Sequence, residues 1–185
     1  MSSTNQVAFP TLRSGSYSSY LNAVMKIPTL SIEEENKLAV DSYNNDHAAS
    51  QKLITHHLKQ VANIASKYKG YGMPPMDLVQ EGNVGLMKAV KRFDPAVGVR
   101  LSSFASYWIK SEIHEYVLKN YHIAKVATTK AQRKLFFNIR KNKSGRTMSL
   151  THEEATNLAE ELSVKVSEVK EMERRMGTLA LDIDS

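Results

Sequence analysis

The segment from Val99 to Lys110 constrains the fold most, because its apolar residues occupy two sides of one helix. Residues three and four apart are neighbours on a helix, so Phe104, Tyr107 and Trp108 share one side. A second side carries apolar residues at every fourth position: Ala105, Ile109, Ile113 and Val117. A core needs only one apolar face. The aromatic face is therefore either additional core or a platform for stacking unpaired bases, and this helix alone favours core.

Helix-start signals and helical spacing recur along the rest of the chain. Ser31 to Glu34 and Thr151 to Glu154 form two capping boxes. Apolar residues follow a helical period from Leu53 to Tyr68 and from Met76 to Phe93, with turn residues between these segments. We also expect a short helix from Tyr20 to Lys26. No segment alternates convincingly like a strand, so the predicted fold class is all-α.

Several functional classes find no support in the composition. The chain has no cysteine, which excludes disulfides and thiolate metal sites and fits a reducing cytoplasm. No apolar run reaches the roughly 18 residues that a membrane helix needs. The histidines lack ligand spacing, so no metal or cofactor is expected. Gly82 and Gly85 lie within an apolar helical pattern, where they indicate close helix packing rather than a phosphate loop. Nothing indicates an enzyme or a catalytic residue.

Positive charge is concentrated in one part of the chain. The formal net charge is +6, yet residues 100–146 contain eleven Lys or Arg and only Glu112 and Glu115 as acids. An excess of this size indicates a polyanionic partner such as nucleic acid. Solvated surfaces usually mix both signs, which makes a plain surface the weaker explanation.

A helix-turn-helix pattern follows the second capping box. It places Ala159 at a helix crossing, Leu162 beneath it and a short turn before Val166, although Ser163 stands where glycine is usual. Helical hairpins without a DNA-binding function can match the same pattern. In the helix that carries Phe104, Tyr107 and Trp108, we expect Ser102 or Ser103 to be the N-terminal cap.

The segment Asp77 to Val90 closely resembles the core-binding segment of the bacterial sigma-70 family of sigma factors. The resemblance continues in order from about Tyr20 to Met176 and covers regions 1.2, 2 and 3. The segment Thr128 to Arg140 is similar to the signature box of heat-shock sigma factors. The resemblance implies a helical region 2 domain followed by a small three-helix region 3 domain with a helix-turn-helix-like hairpin.

The resemblance implies two partners, core RNA polymerase and promoter DNA, in the bacterial cytoplasm and without membrane attachment. Docking on a coiled coil of the largest polymerase subunit would use Asp77, Gln80, Glu81, Asn83 and Met87. Asn83 and Met87 are expected away from the centre of the polar face, so this interface would wrap around the helix. Melting and binding of the single-stranded minus-ten element would use Ser102, Ser103, Phe104, Tyr107 and Trp108.

Duplex and extended minus-ten DNA would be contacted by a largely basic set of residues further along. The set comprises Arg100, Lys110, Ser111, His114, Glu115, Lys119, Lys125, Thr128, Lys130 and Arg133. Leu101 and Tyr107 stand where housekeeping relatives carry Phe and Trp. Less aromatic area predicts weaker spontaneous melting than in those relatives.

The resemblance also implies a domain division. Residues 1–19 would be a flexible tail, 20–122 regions 1.2 and 2, 123–177 region 3, and 178–185 a C-terminal tail. The chain stops before region 4, so recognition of the minus-thirty-five element is not expected.

Three alternative functions remain open. Gln132 to Arg140 resembles an Hsp70-type chaperone site, although Leu135, Phe136 and Ile139 are better explained as core. The chain could instead be a stand-alone helix-turn-helix regulator that binds duplex DNA without polymerase. It could also be a truncated sigma factor that occupies core polymerase without opening promoters.

Overall fold

A computed structural model describes residues 17–120, 127, 129–142 and 149–181, with side chains described as far as Met176. All regular elements in these ranges are helical, as predicted. The α-helices are α1 (Tyr17–Met25), α2 (Ile32–Tyr43), α3 (His47–Ser66), α4 (Pro75–Arg92), α5 (Leu101–Asn120), α6 (Lys130–Asn142), α7 (His152–Leu162) and α8 (Val166–Leu181). Short 3₁₀ helices cover Lys69–Tyr71 and Pro95–Val97. The chain divides between Val117 and Leu118 into two compact units.

Local signals fix most helix boundaries. In the capping box of α2, the Glu34 N–H donates to Ser31 Oγ at 3.1 Å, and the Ser31 N–H donates to Glu34 Oε2 at 2.9 Å. The chain leaves α2 through Asn45, whose φ of 67° is left-handed. Asp46 then caps α3 by accepting from the N–H groups of Ala48 and Ala49. The capping box of α2 and the Asp46 cap of α3 each satisfy backbone N–H donors that a helix start otherwise leaves unpaired.

The start of α5 differs from the prediction. The helix begins at Leu101, so Ser102 and Ser103 lie within its first turn and the prediction that one of them caps it is wrong. The carbonyl of Arg100 accepts from the N–H groups of Ser103 and Phe104. Burial explains the earlier start, because Leu101 is 0% exposed and anchors the helix in the core. The first helix also starts earlier than predicted, at Tyr17.

The first unit has a core made mainly by α3, α4 and α5. Their inward faces are completely or almost completely buried at Leu53, Val61, Leu78, Leu86, Ile109 and Ile113. α3 packs against both α2 and α4. The predicted inward face of α4, from Leu78 to Phe93, is buried throughout. The outer faces of α4 and α5 thereby stay on the surface of this unit.

The second unit is a three-helix arrangement of α6, α7 and α8, in which α8 contacts both of the others. Its core contains Phe136, Ile139, Leu158 and Val169. The second capping box is present, with Thr151 and Glu154 bonded reciprocally. Ser163 takes a left-handed conformation (φ 54°) at the end of α7 and makes the turn into α8. The predicted helical hairpin is therefore confirmed.

Candidate nucleic-acid interface

α5 presents one buried side and one aromatic side. The buried side consists of residues with no exposed surface: Leu101, Ala105, Ile109, Ile113 and Val117. On the other side Tyr107 is 80% exposed, whereas Phe104 and Trp108 are half-buried. The aromatic face therefore combines packing with exposure. Because Leu101 belongs to the buried side, its departure from the housekeeping pattern alters the core and not the exposed aromatic area.

Phe104 and Trp108 belong to an aromatic row that joins α5 to the end of α4. The Phe93 and Phe104 ring centroids lie 5.6 Å apart, and those of Phe104 and Trp108 lie 6.3 Å apart. Tilted pairs at such distances attract each other. The Arg92 guanidinium carbon lies 4.5 Å from the Trp108 ring centroid, which is a cation–π contact. These contacts hold the aromatic face in one arrangement.

Two glycines of α4 allow this helix to pack closely against its neighbours. A Cβ at Gly85 would lie 2.6 Å from the Trp108 carbonyl oxygen and 2.7 Å from Ile109 Cα. A Cβ at Gly82 would lie 2.6 Å from Val61 Cγ1. Real Cβ atoms essentially never come this close. The prediction that these glycines permit close helix packing is confirmed, and Gly85 sets the backbone of α5 beside Trp108.

An ionic network centred on the buried Glu35 lies near the start of α5. Arg100 donates two hydrogen bonds to Glu35, from Nε at 3.1 Å and from Nη2 at 3.0 Å. His57 Nε2 lies 3.4 Å from the same carboxylate, which is only 4% exposed as a residue. Burial raises the pKa of Glu35, but the hydrogen bond from Arg100 and the charges of His57 and Arg100 outweigh it, so the pKa lies below its ordinary value. Arg100, predicted as a DNA contact, is therefore already engaged within the unit.

An open groove of about 420 Å³ lies beside this network. It is lined by Thr29, Leu30, Glu35, His56, His57, Lys59, Gln60, Asn63, Ile64, Lys67, Arg100, Ser102 and Ser106. Gln60 Nε2 donates to the Ser102 carbonyl at 2.6 Å and to Ser106 Oγ at 2.9 Å. Its Oε1 is buried and accepts no hydrogen bond from the described residues. Gln60 thus ties α3 to the first turns of α5 within the groove lining.

The residues predicted to dock on polymerase lie on α4, and they differ in their exposure and in their hydrogen bonds. Gln80 and Met87 are exposed and seven residues apart, which places them on one strip. Met87 is 48% exposed, so it is accessible from this side of the helix. Asp77 accepts a hydrogen bond from the Tyr116 hydroxyl at 3.0 Å. Glu81 is half-exposed, and the Asn83 Oδ1 is buried.

Apart from Arg100, described above, the predicted duplex contacts fall into three groups. Lys110, Ser111, Glu115, Lys119, Lys130 and Arg133 are exposed. His114 is engaged by Tyr68, with the hydroxyl oxygen 2.7 Å from Nε2. Burial, together with the charge of Lys110, lowers the pKa of His114 to about 4, so it is neutral near pH 7. Lys125 and Thr128 lie outside the described residues.

The apolar part of the predicted chaperone segment faces the core of the second unit. Leu135, Phe136 and Ile139 are at most 2% exposed, and Phe137 is half-buried. The basic residues Arg133 and Lys134 are exposed beside them. The core-packing explanation of these apolar residues is therefore confirmed for the folded unit.

Neither a metal cluster nor a membrane span is found in the described ranges. No group of three or more His, Asp or Glu there could hold a metal ion. No helix there is both long and apolar enough to cross a membrane.

Sequence reasoning missed Glu35, His57, Gln60 and Arg92 as parts of this surface. Glu35 lies four residues before the buried Ala39, which could have indicated that it shares the buried face of α2. The others give no local signal, because their partners are distant in sequence: 42 residues separate Gln60 from Ser102. Only the packed helices bring these side chains together.

Comparison with known proteins agrees with the geometry. Residues 53–122 match the family described as Sigma-70 region 2. The chain is 44% identical over 167 residues to RNA polymerase sigma factor RpoH of Caulobacter vibrioides (strain NA1000 / CB15N). This match covers 88% of the chain and 57% of that relative's length. The matched residues include α4, which carries Gln80 and Met87, and α5, which carries the aromatic face. The chain belongs to the sigma-70 family of RNA polymerase sigma factors and groups with its heat-shock members.

Proposed function

We propose that this chain binds core RNA polymerase and directs it to promoters, where it recognises and opens the minus-ten element. The observation that carries the proposal is the aromatic face of α5, which is partly exposed while the opposite side of the helix is buried. The chain would act in the bacterial cytoplasm as a specificity subunit without catalytic residues of its own.

The aromatic face supplies the energy for holding DNA open. Base stacking on an aromatic side chain is worth about 1–3 kcal/mol per base. Unstacking one step costs a few kcal/mol, so two or three aromatic contacts offset much of the cost of melting. Tyr107 is the most accessible of the three rings, at 80% exposure. Phe104 and Trp108, fixed by their neighbours, would stack bases with little loss of conformational entropy.

The groove beside Ser102 is the proposed pocket for a flipped base. A base removed from the stack needs new hydrogen-bond partners, since unpaired buried polar groups are costly. Gln60 lines the groove, and exchange of its bonds to Ser102 and Ser106 would free its amide for a flipped base. Ser102, Ser106 and Asn63 line the same groove and offer further polar groups. Lys59 and Lys67 line it too, where their charge would attract the adjoining phosphates.

The strip of Gln80 and Met87 is the proposed contact with a coiled coil of the largest polymerase subunit. An exposed methionine beside a polar amide suits a helix-packing interface, because methionine adapts its shape to the partner. Glu81 lies at the edge of this strip. Asp77 and Asn83 would contribute indirectly, Asp77 by holding Tyr116 and Asn83 from its inward position.

Exposed cations on α5 and α6 are the proposed contacts with duplex and extended minus-ten DNA. Lys110, Lys119, Lys130 and Arg133 are exposed and would neutralise phosphates, which makes binding salt-dependent. Ser111 and Glu115 of α5 would also face the duplex. Ser103 is exposed in the first turn of α5 and would contact the single strand.

The predicted chaperone site keeps a lesser place in this proposal. Because Leu135, Phe136 and Ile139 are buried, an Hsp70-type chaperone could bind Gln132 to Arg140 only after α6 leaves the second unit. Such binding would compete with folding of that unit.

The proposal is tested by reconstitution with core polymerase on a heat-shock promoter with an extended minus-ten element. Gln80→Ala should weaken core binding, whereas Gln51→Ala, the same substitution at an exposed position of α3, should not. Trp108→Ala should bind core normally and lose promoter opening, and Trp108→Phe should retain part of it. A chain that binds no core and forms no open complex would refute the proposal.

The same experiment separates the alternatives. A stand-alone regulator would bind duplex promoter DNA tightly without polymerase. A truncated interaction subunit would bind core but leave every promoter closed, with Trp108→Ala indistinguishable from the wild type.

A further inference from the structure

The helix α4 contacts Trp108 at two positions. Gly85 lies against the Trp108 backbone, where a Cβ would approach the carbonyl oxygen to 2.6 Å. Arg92 follows seven residues later, two turns along the same side of α4. Its guanidinium carbon lies 4.5 Å from the indole centroid. The contact at Gly85 fixes the position of the Trp108 backbone, and the contact with Arg92 acts on the orientation of the indole ring.

We propose that Arg92 is a positioning residue that fixes the indole of Trp108 for base stacking, an inference that rests on the function proposed above. A planar guanidinium stacks on an aromatic face and is attracted by its negative quadrupole. Phe104 limits the ring from the α5 side, with its centroid 6.3 Å away. The indole is thereby held in one orientation before DNA arrives, so that stacking a base costs less conformational entropy.

Arg92 also has a competing explanation, as a plain phosphate contact. It is exposed and positively charged, and its neighbour Lys91 is too. A phosphate contact would act on any nearby strand whether or not Trp108 is present. A positioning residue acts only through the indole, and the two roles therefore differ in their coupling to Trp108.

The free chain gives the first test, because Trp108 is its only tryptophan and reports alone under selective excitation. Arg92→Ala should increase acrylamide quenching and lower the emission anisotropy of Trp108. Arg92→Lys should fall between the wild type and Arg92→Ala, because lysine keeps the charge but not the plane. Lys91→Ala removes the same charge one residue away and should change neither signal. Unchanged quenching in Arg92→Ala, with circular dichroism confirming the fold, would overturn the proposal.

Binding of the polymerase complex to single-stranded minus-ten DNA gives the second test. Arg92→Ala should weaken binding roughly twofold to fivefold, the range expected for an exposed cation–π contact. In a Trp108→Ala background the same substitution should have no further effect. The salt dependence of binding should stay unchanged. A loss that persists without Trp108, with the salt slope reduced by about one, would identify a phosphate contact instead and overturn the proposal.

The two tests fail separately. If the wild-type complex does not bind this DNA, the proposed function is refuted. The fluorescence of the free chain still decides whether Arg92 fixes the indole.

Discussion

Replacing Gly85 with alanine should separate α4 from α5 and destabilise the first unit. The new Cβ would lie 2.6 Å from the Trp108 carbonyl oxygen and 2.7 Å from Ile109 Cα. Ordinary contact begins at 3.4 Å, so the helices must part by about 0.8 Å at this point. Both obstructing atoms belong to the backbone, and no side-chain rotation relieves the clash. α5 resists the shift because Ile109 and Ile113 are completely buried.

The magnitude follows from two opposing effects. Overpacking a well-packed core costs about 1–3 kcal/mol, and a backbone clash belongs at the upper end. Alanine is favoured over glycine within a helix by about 1 kcal/mol. We therefore expect a net loss of about 2 kcal/mol in the free energy of unfolding. For a unit of this size that corresponds to a fall of about 8 °C in Tm.

Thermal unfolding followed by circular dichroism measures this loss. Gly70→Ala is the matched control, because a Cβ there meets no atom within 4 Å and its φ is not left-handed. The control should unfold close to the wild type. If Gly85→Ala were as stable as the wild type or more so, helix propensity would dominate and the close approach of α4 to α5 would be contradicted.

Ionisable groups and one turn provide further tests. The pKa of His114 is about 4 when folded, against an ordinary 6.5, so the unfolded chain binds more protons between these values and stability falls as pH falls. The wild type should therefore lose free energy of unfolding between pH 7 and pH 5, and His114→Gln should reduce this loss by about 1 kcal/mol after allowance for partial exposure. Urea unfolding at the two pH values measures the difference. An unchanged dependence of stability on pH in the variant would contradict the assignment. Glu35→Gln should lower the free energy of unfolding by about 2 kcal/mol, because Arg100 loses a buried carboxylate partner. A loss below about 0.5 kcal/mol in the same urea assay would mean that the bond between Glu35 and Arg100 does not stabilise the fold. Ser163→Gly should stabilise the hairpin of α7 and α8 by about 1 kcal/mol, since glycine adopts the left-handed φ without strain, and amide exchange there should slow; unchanged exchange would contradict this.

Features that depend on near neighbours in sequence were predictable. The two capping boxes, the break after α2 and the buried face of α4 all follow from residues within a few turns of each other. The glycines of α4 were also interpreted correctly as packing residues. Such features are local because a helix brings together residues three or four apart.

Features that depend on the packing of distant helices were not predictable. The resemblance implies a DNA contact for Arg100, but nothing in the local sequence predicts that Glu35, 65 residues away, binds it within the fold. Helix spacing predicted the two faces of α5, but not that Phe93 and Arg92 would hold the aromatic face in place. Leu101 stands where housekeeping relatives carry an aromatic residue, and only its burial in the structure places it in the core. In each case the deciding contact crosses between helices.

The reactivity of minus-ten thymines towards permanganate tests the central claim most directly, because only unpaired thymines react. Core polymerase with the wild-type chain should make these thymines reactive on a promoter with an extended minus-ten element, and core alone should not. The Trp108→Ala chain should remain bound to core while the reactivity is lost. Equal reactivity with Trp108→Ala would contradict the claim that the aromatic face of α5 holds the promoter open.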